Sequence, residues 1–214
     1  MTLPSKQIAT WADLLRDLAA QGLNFSTNSY DKERYAKIQD LVIEMLTFAT
    51  NWSLEELVPH RETFFSRPSP IMTGDAAIIN ESGQILLIQR SDNHLWAMPG
   101  GLLEVGETPS EGVLREVFEE TGLFCKVTAL VGLFDSRFCG TTHPFQLYQI
   151  VFLCKILDDA EVMEPPHKHE SLGLKWFDEI SLPENMDPGH ISRISEAFRL
   201  WHGDPTPFFD YEKF

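Results

Sequence analysis

The chain has 214 residues, with 32 acidic side chains against 17 basic ones and a net charge of −15. A chain this long forms one or two domains; the acidic excess excludes nonspecific grip on a nucleic-acid backbone and docking on an anionic membrane. A hydrophobic fraction of 43%, with 15 Phe and 5 Trp, supplies a real core and excludes wholesale disorder.

In chain order, residues 1–66 read as helical. Ile8, Trp11, Leu14, Leu15 and Leu18 mark one apolar helix face, with Gly22 as its stop. Asn24–Tyr30 reads as a polar turn, and Asp31 as the cap of a second helix whose apolar face holds Tyr35, Ile38, Leu41, Val42, Met45 and Leu46. Ser53 and Glu56 have capping-box spacing and open a short third helix. Such helices cannot bury all their apolar surface alone, so they pack on the rest of the chain or on a second subunit. Residues 66–73, with two prolines, read as a linker. This places a helical domain at 1–66 and a second domain at 67–214.

Beyond the linker the period changes. Asp75–Asn80 and Gln84–Arg90 read as a β-hairpin around Glu-Ser-Gly. Leu95–Met98 leads into Pro99-Gly100-Gly101, and residues 109–121 are helical. Cys125–Phe134, Gln146–Leu157 and Leu174–Asp178 are strand candidates. His190–Trp201 is a final helix with Ile191, Ile194, Phe198 and Trp201 on one face. The order predicts an α/β layered domain with a mixed sheet. No run of 18 apolar residues spans a membrane and no signal peptide is evident, while three cysteines (Cys125, Cys139, Cys154) without metal spacing read as reduced thiols of a cytoplasmic protein.

The charge is uneven. Residues 101–123 hold six acids and one base, whereas residues 124–157 hold one acid and three bases. On a helix opening at Pro109, Glu116, Glu119 and Glu120 stand at i, i+3 and i+4 and share one face, with Leu114, Val117 and Phe118 facing the core. Three neighbouring carboxylates repel, unless a divalent cation sits among them; carboxylate oxygens suit Mg²⁺ or Mn²⁺. Arg115 can pair with a neighbouring carboxylate, and Gly122 suits a left-handed helix end.

This stretch resembles the Nudix box of the Nudix hydrolases at every position: Gly101, Glu107, Arg115-Glu116, Val117, Glu119-Glu120, Gly122 and Leu123, at the family's spacing. The resemblance, over roughly residues 70–205, implies an α/β/α sandwich with a mixed sheet. It also implies a metal-dependent enzyme that cleaves the pyrophosphate bond of a nucleoside diphosphate linked to a group X. By resemblance, Glu116, Glu120 and Glu119 are metal ligands, joined by a backbone carbonyl at Gly100–Gly101, while Glu107 and Arg115 brace the loop and helix. The general base stays open between Glu170, a loop acid before the last strand, and Glu119 or Glu120.

The N-terminal segment resembles the helical extension of a bacterial Nudix subgroup that includes CDP-choline pyrophosphatases. Gly22, Leu23, Phe25, Ser26 and the run Tyr30–Tyr35 carry this likeness. It implies a homodimer, or a wall of the substrate pocket; a helical cap for the core is the plainer alternative. Asp135, Arg137, His143 and Tyr148 resemble the subgroup's substrate-side region. ADP-ribose hydrolases often place a proline about 15 residues after the box, where this chain has Ser136-Arg137-Phe138; this weighs against ADP-ribose. ADP-ribose or nucleoside triphosphate hydrolysis, and a nucleotide sensor without turnover, are the competing readings, the last opposed by the intact glutamates. The expected partner is a small nucleotide, not bulk nucleic acid or a membrane.

Overall fold

A computed structural model describes residues 3–61, 65–66, 71–104, 106–141, 146–157 and 162–210. The chain divides into two compact units, Met1–Ile71 with His143–Gln146, and Met72–Thr142 with Leu147–Phe214.

The first unit is helical: α1 (Leu3–Phe25), α2 (Ser29–Ala49) and the short α3 (Leu54–Leu57). Its core joins Ala12, Val42, Ile43, Leu46, Leu57 and Phe65. The capping box at Ser53 and Glu56 is present. Three local expectations are corrected. Gly22 does not end α1, which continues to Phe25. A single helical glycine costs only about 1 kcal/mol, and this one lies against the Tyr35 ring. Asn28, not Asp31, caps α2, accepting the Asp31 N–H at 2.8 Å. The inward side of α1 is Ala12, Arg16, Ala19 and Ala20, whereas Trp11, Leu14 and Leu18 are exposed. Small residues let two helices approach closely, so α1 turns its alanines inward and leaves its bulkier stripe outside.

The second unit has two sheets. One is ordered β4 (Gly100–Leu102), β1 (Ile71–Ile78), β6 (Leu147–Ile156), β5 (Cys125–Asp135), β8 (Phe208–Phe209), the other β3 (Trp96–Ala97), β2 (Gln84–Arg90), β7 (Ser171–Asp178). Antiparallel pairs (β1–β4, β5–β6) and the parallel β5–β8 pair make the first sheet mixed. The expected linker is corrected in part: Ile71 to Thr73 already belong to β1, because distant backbone takes them up, Ile71 N–H on the Gln146 carbonyl at 3.5 Å and Thr73 opposite Leu102 of β4. Residues 67–70 lie outside the described ones. The expected hairpin exists only at its tip, where Asn80 N–H donates to the Gln84 carbonyl at 2.9 Å and Ile79 bridges Ile85. Beyond it β1 and β2 part into different sheets.

Helices α4 (Pro109–Thr121) and α5 (Pro188–Trp201) complete the layers. From Gly74 onward strand β1 is buried on both faces: Ala76 and Ile78 pack with Val113 and Val117 of α4, and Ala77, with Ile79 just past the strand, packs with Ile194 and Phe198 of α5. The inward face of α5 differs from its apolar pattern. Ile191 and Trp201 are exposed, and the buried positions include His190 and Arg193.

Candidate active site

The site grows from the β4–α4 segment. Thr108 caps α4 with a capping box to Glu111, Pro109 occupies the first turn, and Gly122 closes the helix in the left-handed conformation, at φ 71°. Only glycine tolerates that backbone here, since a Cβ would also collide with the Met163 carbonyl. The helix therefore has both ends fixed, and its acidic stripe is aimed at β4.

Arg115 organises the stripe. Its Nε and Nη2 donate to the two Glu107 oxygens at 3.0 and 2.8 Å. Nη2 also reaches the Leu102 carbonyl at 3.1 Å. Nη1 donates to Glu116 at 2.8 Å and Glu119 at 3.1 Å. These contacts use the five N–H donors of a guanidinium, so Arg115 is a brace and not a free phosphate ligand. Glu107 also accepts the Glu104 N–H at 2.6 Å, and the Arg115 hydrogen bonds hold its carboxyl below the usual range.

Glu120 is buried and accepts the Gly100 N–H at 2.9 Å. Desolvation pushes its carboxyl up to about 8; Glu116 and Glu170 add repulsion, while the Gly100 hydrogen bond and Arg90 oppose the rise. Glu116 is raised as well, by burial first and by Glu119 and Glu170 after it, against Arg115. Gly101 lies close to Glu116: a Cβ there would sit 2.7 Å from the carboxylate carbon. Carboxylates and a backbone carbonyl are oxygen donors, the set that Mg²⁺ and Mn²⁺ take. Among the described residues no three His, Cys, Asp or Glu converge into a ready-made metal cage. Arg115 draws oxygens of Glu116 and Glu119 toward itself, so a cation would be met by their other oxygens and by Glu120.

Glu170 reaches the same place from another element. Its loop is tied to the end of α4, with His167 N–H on the Glu119 carbonyl at 2.8 Å and Met163 N–H on the Gly122 carbonyl at 3.0 Å. The Glu170 carbonyl accepts the Ser91 N–H at 2.9 Å. The half-exposed Glu170 side chain lies 3.7 Å from His167, which is 3.5 Å from Glu119.

The substrate-side residues form a separate cluster on the β5–β6 ladder. Asp135 pairs with Tyr148 in register. Arg137 is anchored on Asp135, with Nη2 2.6 Å from Oδ2, and its guanidinium lies 5.3 Å from the Phe138 ring centre. Arg137, expected on the substrate side, is thus seated on a buried carboxylate. Tyr148 is half-buried. His143 lies outside the described residues.

Arg90 escaped the sequence reading. At the end of β2 it pairs with Asp92 at 3.0 and 2.7 Å, and its charge is felt by Glu120 and Asp75. Its place eleven residues before Gly101 in a strand running to the box was the available signal. The cysteines are free thiols pushed up by burial, to about 12 at Cys154, which argues against a thiolate role. No helix among the described residues is long and apolar enough to cross a membrane.

Comparison with known proteins agrees with this geometry. The NUDIX domain pattern matches residues 73–197, and a pattern described as a UDP-X-like, N-terminal oligomerisation domain matches residues 6–59. A Bacillus subtilis (strain 168) protein named "Putative ADP-ribose pyrophosphatase YjhB" is 28% identical over 93% of this chain and 95% of its own. A crystal structure of a UDP-X diphosphatase, 28% identical, superposes with a TM-score of 0.56 over 93% of this chain and 96% of that one. An ADP-ribose pyrophosphatase from Streptococcus suis, 23% identical with a TM-score of 0.54 over 64% of this chain and 95% of its own, shares the fold. With the box glutamates, their bracing arginine and the layered sheet all in place, the chain belongs to the Nudix hydrolases and is a pyrophosphohydrolase of that family.

Proposed function

We propose that Glu116, Glu119, Glu120 and the Gly101 carbonyl hold Mg²⁺ or Mn²⁺, and that the chain hydrolyses the pyrophosphate bond of a nucleoside diphosphate linked to a group X. The carrying observation is Glu120, a buried carboxylate held by the Gly100 N–H beside Glu116 and raised to about 8 by burial. Buried acids side by side are costly unless a cation offsets them. A divalent ion bound there supplies charge neutralisation for the diphosphate and a more acidic water.

The chain's own residues have distinct tasks. Glu107 and Arg115 keep the stripe in register with β4. Glu170, on its tethered loop, or Glu119 or Glu120, accepts the proton of the attacking water. Arg137, fixed by Asp135, and Tyr148 offer a cation and a ring to the remainder of the nucleotide, with His143 assigned to the same role from the sequence. Segment 67–214 is the catalytic domain. Segment 1–66 assembles a homodimer through the exposed side of α1 and α2, in keeping with the oligomerisation pattern it matches.

CDP-choline is the leading substrate, from the resemblance of the N-terminal segment. A second reading, ADP-ribose, is favoured by the name of the Bacillus subtilis relative. Purified protein with Mg²⁺ or Mn²⁺ is assayed on CDP-choline, UDP-sugars, ADP-ribose, dinucleotides and NTPs, with products identified by ³¹P NMR. CMP plus phosphocholine as the fastest reaction is expected. Equal rates across the panel defeat the CDP-choline assignment, a preference for AMP plus ribose phosphate selects the second reading, and NMP plus pyrophosphate from NTPs alone defeats both.

A further inference from the structure

A buried ion pair lies behind the Pro99–Gly101 turn, and no motif announces it. Asp75 on β1 faces Gly100 across the β1–β4 ladder, with Gly74 facing Gly101. Its carboxylate pairs with Arg193 of α5, and the two residues are only 6% and 1% exposed. Arg193 Nε donates to the Gly189 carbonyl at 2.8 Å. The Gln149 amide, with its oxygen toward the guanidinium, accepts from Nη2 and Nη1 at 3.2 and 3.3 Å.

The same end of α5 holds the strand on the other side of the turn. His190 Nδ1 accepts the Met98 N–H at 3.2 Å, and the N–H of Asp187, the α5 cap, donates to the Trp96 carbonyl at 2.9 Å. The Ala76 N–H closes the cradle on the Pro99 carbonyl at 2.8 Å. A buried ion pair adds little stability over apolar residues of equal volume. What this pair adds is direction, since a planar guanidinium with three fixed acceptors admits one placement of β1. The Gly100 N–H on Glu120 and the Gly101 backbone against Glu116 both follow from that placement.

We propose that Asp75 and Arg193 are positioning residues that set the affinity of the box for its divalent cation, acting through the β1–β4 ladder. This rests on the reading that Glu116, Glu119 and Glu120 hold the metal. The test measures Mn²⁺ binding to the full chain by EPR of the free ion, with thermal melting alongside, for wild type, Asp75→Leu/Arg193→Met, Arg193→Lys and Glu120→Gln. The apolar double variant removes both charges together, so neither is left buried alone. Arg193→Lys keeps the charge but cannot serve three acceptors in one plane, and it carries the test if the double variant does not fold. Each is expected to bind Mn²⁺ at least tenfold more weakly, the usual scale for residues that orient metal ligands. Wild-type affinity in a folded positioning variant, with binding lost in Glu120→Gln, overturns the proposal and leaves the metal site standing. Wild-type affinity in Glu120→Gln overturns both.

Discussion

Both carboxylate oxygens of Glu107 are engaged by one side of the Arg115 guanidinium, at 3.0 and 2.8 Å, while the other side reaches Glu116 and Glu119. The loop before α4 and the acidic face of α4 are thus held by one planar group. Lysine would keep the charge and lose the fork. Arg115→Lys should retain the circular-dichroism spectrum and lower kcat/KM by about 10²-fold at saturating Mg²⁺, the scale of a catalytic group misplaced by about 1 Å. An unchanged kcat/KM removes the bracing role.

Glu120 makes the metal-free protein sensitive to pH in a defined direction. Its carboxyl is raised to about 8 in the folded chain, against about 4.3 in an unfolded one. The folded state therefore favours the proton between these values, and stability falls as pH rises from about 5 to about 8. In EDTA, the wild-type melting temperature should drop across this range, and Glu120→Gln should drop less. A wild-type curve no steeper than the variant's would contradict the burial of this charge.

Glu120→Gln should also abolish hydrolysis, by 10² or more, the scale for losing one group that stabilises transition-state charge, while melting at or above the wild-type temperature in EDTA. Full activity with Mg²⁺ would remove Glu120 from the metal site.

The exposed side of the helical unit carries Trp11, Leu14, Leu18, Phe25 (81% exposed) and Phe48. Exposed apolar side chains of this size suit the assembly proposed for segment 1–66. Light scattering should give twice the 24.4 kDa chain mass for wild type, and Leu14→Glu/Leu18→Glu should give the single-chain mass. A monomeric wild type defeats the assembly proposed for segment 1–66.

The site was far more legible in the sequence than the frame behind it. Pro109, the Glu116–Glu119–Glu120 spacing and Gly122 are local signals, and α4 spans the predicted residues 109–121. The inward face of α1 was misread because apolar periodicity marks a stripe without saying what covers it, and here alanines met α2. The start of β1 depends on backbone far along the chain, Gln146 for Ile71 and Leu102 for Thr73. Asp75 and Arg193 are separated by 118 residues, and a lone Asp in an apolar strand and an Arg on an amphipathic helix carry no mark of each other. Arg137 was legible as a residue, but its anchoring on Asp135 was not, since that pairing is a matter of rotamer.

The last carbonyls of a helix have no partners within it. In α4, the Glu119 and Gly122 carbonyls are taken by the amides of His167 and Met163, on the segment that brings in Glu170. The end of the box helix and that distant loop are therefore expected to open together, as one cooperative unit. Amide hydrogen exchange at Met163 and His167 should slow and quicken in step with the final turn of α4, so a change far along the chain can be felt in the protection of the acidic stripe itself.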